Sequence, residues 1–328
     1  MRAVLCRSFA PLDQLTVEEL PDLEPGPGQV LVAVEAAGAN FVDALLVQGL
    51  YQLKPALPFT PGMEVAGTVA ALGEGVAGVA VGDRVLGTTF VGGFASQVLL
   101  PADNAVPIPA GLSAGQAAGL VQSYATMLFA LTRRTSVAPG EWVAVLGAGG
   151  GIGLATVDLA KALGARVVAC ASTPDKLAAA EAAGADATIA YDDPGQPELD
   201  LKAAIREATG GGADVLVDPV GGAKADAALR ALGWMGRYIV IGFAAGDIPR
   251  VPLNQVLLNN RTVIGIDWGA WTFRDPAGNA ALLAELLDLV GAGRLRPVEP
   301  VPYRLEDAAQ ALADLQGRNV AGKLVLVP

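Results

Sequence analysis

The sequence predicts an α/β protein in two parts: a β-rich N-terminal part, and a doubly wound parallel sheet built around a glycine turn. Three observations predict this. Over residues 1–120, short apolar runs alternate with turn clusters, the pattern of a barrel or sandwich. From 141 to 266, strand and helix patterns alternate, the pattern of parallel βαβ units. At 328 residues and 52% hydrophobic, the chain can bury a sizeable core in one large domain or two ordinary ones.

In the first part, strand patterns include Val30–Val34, Gly67–Leu72 and Gln97–Leu100. Turn clusters separate them: Pro25-Gly26-Pro27-Gly28, Gly73-Glu74-Gly75 and Val81-Gly82-Asp83-Arg84. Ser113 is placed to cap a helix running to Ala118, and helical periodicity continues from Tyr124 to Leu131. Ala138-Pro139-Gly140 then turns the chain into strand 141–146.

That strand leads into Gly147-Ala148-Gly149-Gly150-Gly151-Ile152-Gly153, a helical run to Leu163, and a second strand at Arg166–Cys170. The unit is about 30 residues long, as a βαβ unit should be. Glycines at 147, 150 and 153 suit a tight turn, a close approach to a pyrophosphate and tight helix–strand packing. The helix N-terminus offers N–H groups and partial positive charge to phosphates. The strict G-x-G-x-x-G spacing is not met, so the context of strand, turn and helix carries the reading.

The expected elements continue with helix Pro174–Ala183, ended by Gly184, and strand Thr188–Tyr191. A Pro/Gly/Asp turn, helix Leu199–Ala208, strand Val215–Asp218, helix Ala223–Leu232, and strands Arg237–Gly242 and Thr262–Ile266 follow. An amphipathic helix covers 276–292, and a final strand, Lys323–Val327, is expected to fold back on the first part.

Composition excludes several functions. The chain has no histidine, so histidine bases, Ser-His-Asp triads and histidine metal ligands are absent. Cys6 and Cys170 read as small buried apolar residues, too few for a cysteine-rich zinc site. A formal charge of −11 with no basic face argues against nucleic acid. No apolar run reaches the ~18 residues of a membrane span. The N-terminus shows no signal-peptide pattern, so the expected location is cytoplasmic.

NAD-binding units of this design place an acid at the second strand's tip to bind the ribose 2′-OH. Here the strand ends Cys170-Ala171-Ser172, with no carboxylate. Ser172, Thr173 and Lys176 beyond it suit a 2′-phosphate, so NADP is expected over NAD. Taken alone, Lys176 is equally a solvated helix lysine. Asp175 beside it points elsewhere on a helix.

Seven stretches together resemble the zinc-free, zeta-crystallin-like quinone oxidoreductases of the medium-chain dehydrogenase/reductase superfamily. They are Ala37–Asp43, Pro61–Gly67, Val81–Val85, the glycine turn, Val217–Gly222, Ile241–Gly246 and Gly322–Leu326. The resemblance covers the whole length. It implies a GroES-like β-barrel catalytic domain over 1–122 and 268–328 and a Rossmann NADP-binding domain over 123–267. Zinc relatives carry Gly-His-Glu where this chain has Gly62-Met63-Glu64, and a cysteine ligand near Asn40. Their four-cysteine lobe is also missing, since a short loop joins Val85 to Gly93. No metal site is therefore expected.

The resemblance also implies site roles. Lys176 and Tyr191, with Ser172, hold the 2′-phosphate; Gly150, Gly151 and Ile152 lie at the pyrophosphate. Val220, Phe243, Ala244 and Gly246 lie near the nicotinamide ribose, with Thr126 and Lys323 as further cofactor contacts. Asn40, Asp43 and Tyr51 line the cleft between domains at the acceptor. A homodimer through the nucleotide domain is implied. Leu45 stands where some members have a tyrosine. Read without the resemblance, Asn40 satisfies a turn, Asp43 pairs with a cation, Tyr51 packs, Tyr191 ends a strand and Glu64 is structural. The reaction expected is hydride transfer from NADPH to a quinone, since without a Lewis acid an alcohol's hydride is hard to release. The alternatives are reduction of an enal, enone or enoyl thioester, for which Arg133 and Arg134 offer a basic cluster, or a structural or sensor protein that binds NADPH with negligible turnover.

Overall fold

The structure is a computed structural model that describes residues 1–191 and 199–328. The Pro/Gly/Asp turn expected after Tyr191 lies outside the described residues. Strands β1 (Arg2–Leu5) and β2 (Thr16–Glu19) form an antiparallel pair. Then come β3 (Gln29–Ala39), helix α1 (Phe41–Val47), β4 (Glu64–Leu72), β5 (Arg84–Thr88), β6 (Gln97–Pro101) and β7 (Val106–Pro107). Helix α2 (Ala114–Ala118) starts where Ser113 accepts from the Gln116 N–H and Gln116 reaches back to the Ser113 N–H. Helix α3 (Val121–Phe129) runs into a π-turn at Ala130–Arg134, which interrupts the regular helical ladder before the expected end at Leu131.

The second stretch alternates as expected: β8 (Trp142–Leu146), α4 (Gly151–Ala162), β9 (Arg166–Ala171), α5 (Pro174–Ala182), β10 (Ala187–Ala190) and α6 (Leu201–Ala208). Helix α6 begins two residues later than expected because Asp200 caps it, accepting from the Ala203 N–H. Then follow β11 (Ala213–Asp218), α7 (Lys224–Ala231), β12 (Leu232–Val240), α8 (Leu253–Leu258), β13 (Thr262–Gly265), α9 (Trp268–Arg274) and α10 (Pro276–Gly291). The chain closes with β14 (Val301–Arg304), α11 (Ala308–Gly317) and β15 (Leu324–Val327).

Two compact units result: Met1–Gln122 with Val298–Pro328, and Ser123–Pro297. Residues 268–297 were expected with the first unit; they belong to the second. Trp268 is buried and donates to Asn279, tying α9 to α10. Trp271 stacks on Phe129 at 4.5 Å and the Arg296 N–H donates to Asp158, and these contacts hold the segment to the second core.

In the first unit the sheet order is β14-β15-β3-β4-β5-β7, with β6 also on β3. Strand β3 is longer than its apolar stretch suggests, because small residues Ala36 to Ala39 let β4, α2 and β15 approach closely. The tail does fold back: Leu324 pairs Ala39, and Val325 pairs Gly38. The core is aliphatic, centred on Val30, Val32, Val65, Val85, Leu100 and Leu324.

In the second unit the sheet order is β10-β9-β8-β11-β12-β13, every pair parallel. This is a doubly wound sheet that reverses direction between β8 and β11, the point where ligands of such folds bind at the strands' carboxyl ends. Strand β12 starts at Leu232, ahead of the expected Arg237; Met235 inside it has φ +59°. Among the described residues, no helix is long and apolar enough to cross a membrane.

Candidate functional site

The glycine turn leaves β8 at the reversal point, and its glycines do different jobs. Gly147 has φ +59°, a left-handed conformation that a side chain disfavours. Gly150 is the N-cap of α4, and no side chain caps that end, so the first-turn N–H groups are open to an anion. A Cβ on Gly153 would overlap the Gly147 carbonyl oxygen and lie 2.5 Å from Ala148 Cα, so α4 packs directly on the turn. Gly151 and Ile152 form the first helical turn.

Lys176 lies against the same turn: a Cβ on Gly149 would come within 2.8 Å of its Cα. Its ammonium donates to Ser172 Oγ at 3.4 Å. Thr173 caps α5 and Pro174 occupies its first turn, so Lys176 is aimed from a fixed helix start. Strand β9 ends at Ala171 and Ser172, and no acid stands at that tip. Tyr191 is buried, and its hydroxyl accepts from the Gly147 N–H at 3.1 Å. The structure thus brings Ser172, Lys176, Tyr191 and the glycine turn together. It adds Lys224, whose ammonium stands 4.7 Å from the centre of the Tyr191 ring.

On the other side of the reversal point, buried Asp218 ends β11. Its Oδ1 accepts from the Val220 and Gly221 N–H groups at 2.7 and 2.8 Å, and Tyr238 donates to Oδ2. The Tyr238 hydroxyl is pushed well up by burial and by Asp218. Residues 243–246 hang on this support. The Ala244 N–H donates to Pro219 O, the Ala245 N–H to Val220 O and the Gly246 N–H to Phe243 O. Val220 therefore lies beside Phe243, Ala244 and Gly246. Thr126 is half-buried on α3.

In the first unit, Asn40 precedes α1 and its N–H donates to Asp43 Oδ2 at 2.8 Å. The side chain of Asn40 donates to Glu64 Oε1 at 3.0 Å and accepts from the Lys323 ammonium. Lys323 also donates to Glu64 Oε1 at 2.6 Å, and the Gln122 N–H donates to Glu64 Oε2 at 2.8 Å. Glu64 is 1% exposed and Asp43 is fully buried. Burial raises the Asp43 carboxyl to about 7, against the pull of the Asn40 N–H and Lys323, while Glu64 pushes it up further. Asn40, Asp43 and Lys323 therefore form one network with Glu64. Lys323, implied by the resemblance as a cofactor contact, belongs to this network. Tyr51 is half-buried in the bend that follows α1.

The positions that hold metal ligands in zinc relatives offer an amide at Asn40, a thioether at Met63 and the Glu64 carboxylate. Met63 accepts a contact from the Gln122 amide at 3.6 Å, and Glu64 already carries an ammonium. Zinc sites use thiolate, imidazole and unpaired carboxylate; this donor set does not fit one. Cys6 and Cys170 are buried elsewhere, Cys6 in the first unit and Cys170 in the second.

Sequence reasoning missed the pairing of Glu64 with Lys323 and the presence of Lys224. Glu64 and Lys323 lie 259 residues apart, and no local pattern joins them. Lys224 follows the Val217–Gly222 motif, and the position of that motif was its one signal. A further cavity in the second unit, about 640 Å³, is lined by Phe129, Arg133, Arg134, Trp271 and Arg274 among others.

Comparison with known proteins places these features. Residues 26–110 match the alcohol dehydrogenase GroES-like domain, and 151–285 match the family described as zinc-binding dehydrogenase. A quinone oxidoreductase-like protein 2 homolog of Nematostella vectensis is 37% identical over 99% of this chain and 88% of its own length. The crystal structure of Escherichia coli quinone oxidoreductase complexed with NADPH superposes with a TM-score of 0.88 at 28% identity, covering all of both chains. A structure described as NAD-dependent alcohol dehydrogenase superposes with a TM-score of 0.90 at 32% identity, also covering all of both chains. The chain belongs to the quinone oxidoreductase-like family of oxidoreductases, within the medium-chain dehydrogenase/reductase superfamily.

Proposed function

We propose that this protein uses NADPH to reduce a quinone or a comparably electron-poor acceptor, without zinc. The observation that carries the reading is the donor set at Asn40, Met63 and Glu64, an amide, a thioether and a carboxylate already paired with the Lys323 ammonium. A second cation on the same carboxylate would meet direct repulsion. Acceptors that need a metal to release or receive hydride are therefore disfavoured, and acceptors already short of electrons are favoured.

When bound, the nicotinamide supplies the hydride; the chain's residues bind and orient it. The open first turn of α4 takes the pyrophosphate, with Gly150, Gly151 and Ile152 as the contact. Lys176, Ser172 and Tyr191 take the 2′-phosphate. The absence of an acid at the β9 tip supports NADPH over NADH, although relatives with either coenzyme share the fold. Val220, Phe243, Ala244 and Gly246 position the nicotinamide ribose, with Thr126 beside them. Asn40, Asp43 and Tyr51 belong to the acceptor end. The site's main contribution is orientation.

The test is steady-state oxidation of NADPH against a panel of quinones, before and after dialysis against a chelator. Quinone-dependent turnover that survives chelation supports the reading. Bound NADPH with no acceptor-driven oxidation would instead support a sensor. A second reading, an enoyl-thioester acceptor, is favoured by the cavity lined by Arg133, Arg134 and Arg274, which could meet a phosphate; crotonyl-thioester reduction faster than quinone reduction would select it. We also propose a homodimer through the second unit. Trp234, Met235, Leu257 and Leu258 are each at least 65% exposed next to β13, the edge strand of the sheet. A monomer mass in solution would contradict that.

A further inference from the structure

We propose that Lys323 is the electrophile of the acceptor site: its remaining N–H binds the acceptor's oxygen and stabilises the negative charge that collects there. The inference rests on the reaction proposed above.

An ammonium has three donors. Lys323 spends two, on Asn40 Oδ1 and Glu64 Oε1, and among the described residues the third has no partner. The group is held firmly. Strand β15 pairs with β3 immediately after Lys323, setting Leu324 opposite Ala39 and so Lys323 beside Asn40. The Lys323 carbonyl accepts from the Val301 N–H at 2.8 Å. Its stem occupies the space left by Gly119, where a Cβ would lie 2.9 Å from Lys323 Cγ. The side chain is 11% exposed, so it is largely withdrawn from water. A fixed, dehydrated cation with a donor to spare is an oxyanion site.

The step balances without a metal. The acceptor carbon gains hydride from the nicotinamide, and a new C–H bond forms. The electron pair of the attacked double bond moves to the acceptor oxygen, which becomes an enolate or phenolate held by the Lys323 N–H. Water then protonates it. The acceptor is reduced and the nicotinamide oxidised.

Lys323→Met alone strands Glu64, so the deciding variant is Lys323→Met/Glu64→Gln, which removes both charges together. Two readouts are used: kcat and KM with NADPH and an enone, and binding of 4-nitrophenolate, followed by its absorption in the absence of turnover. Loss of one preorganised donor costs about 10²-fold in kcat. The double variant should lose that much and bind the phenolate at least about tenfold more weakly. Lys323→Arg, which keeps a cation, should recover part of the phenolate affinity. A folded double variant with wild-type kcat, or with undiminished phenolate affinity, overturns the proposal. A wild-type protein that binds phenolate through Lys323 yet oxidises no NADPH with any acceptor upholds the anion site and overturns the reaction.

Discussion

Removing the Lys323 ammonium should destabilise the protein, because it strands a buried carboxylate. Glu64 is 1% exposed and takes its charge compensation from Lys323 at 2.6 Å. In Lys323→Met it keeps two neutral donors, the Gln122 N–H and the Asn40 amide. Breaking a buried pair from one side costs about 3–5 kcal/mol. At ~2–4 °C per kcal/mol for a unit of this size, the melting temperature should fall by about 6–20 °C. Calorimetry of Lys323→Met, Glu64→Gln and the double variant forms a cycle. The double variant should recover most of the loss. If it is as unstable as Lys323→Met, the stranded carboxylate is not the cause.

Other expectations follow from single contacts. Lys176→Ala should weaken NADPH binding about 10- to 100-fold, the value of one charge-assisted hydrogen bond, and leave NADH unchanged; fluorescence titration with both coenzymes decides it. Gly153→Ala meets only backbone, at Gly147 O and Ala148 Cα, so α4 must shift by force. It should cost about 1–3 kcal/mol and lower coenzyme affinity, and an unchanged melting temperature would contradict the packing argument. The buried Asp43 carboxyl, raised to about 7, holds its proton more tightly folded than unfolded. Its contribution to stability is thus fully present below about pH 4 and lost as pH rises through 7. Asp43→Asn should flatten that decline in the melting curve between pH 5 and 8, and an unaltered slope would show that another group titrates.

The second unit was largely legible because its signals are local. An apolar strand, a glycine turn and a capped helix follow one another within residues 142–162, and the strand tip at Ser172 is read directly from its neighbours. The boundary at 268 was misplaced because what decides it is long-range: Trp271 on Phe129, and Arg296 to Asp158. The start of β12 was hidden because Gly233-Trp234-Met235-Gly236 reads as a turn, and Met235 does adopt a turn-like φ inside the strand. In the network around Glu64, Asn40 and Asp43 stand out by their motif, whereas Glu64 and Lys323 become a pair only because β15 returns beside β3. Register across a sheet between chain ends leaves no mark in either local sequence.

The most direct measurement is anaerobic single-turnover mixing of NADPH-loaded, chelator-treated protein with a benzoquinone, with zinc content determined on the same sample. The account predicts fast oxidation of NADPH in protein carrying far less than one zinc per chain, and slower reaction from NADH. Oxidation that appears only after zinc is restored, together with turnover of simple alcohols and a preference for NAD, would contradict it.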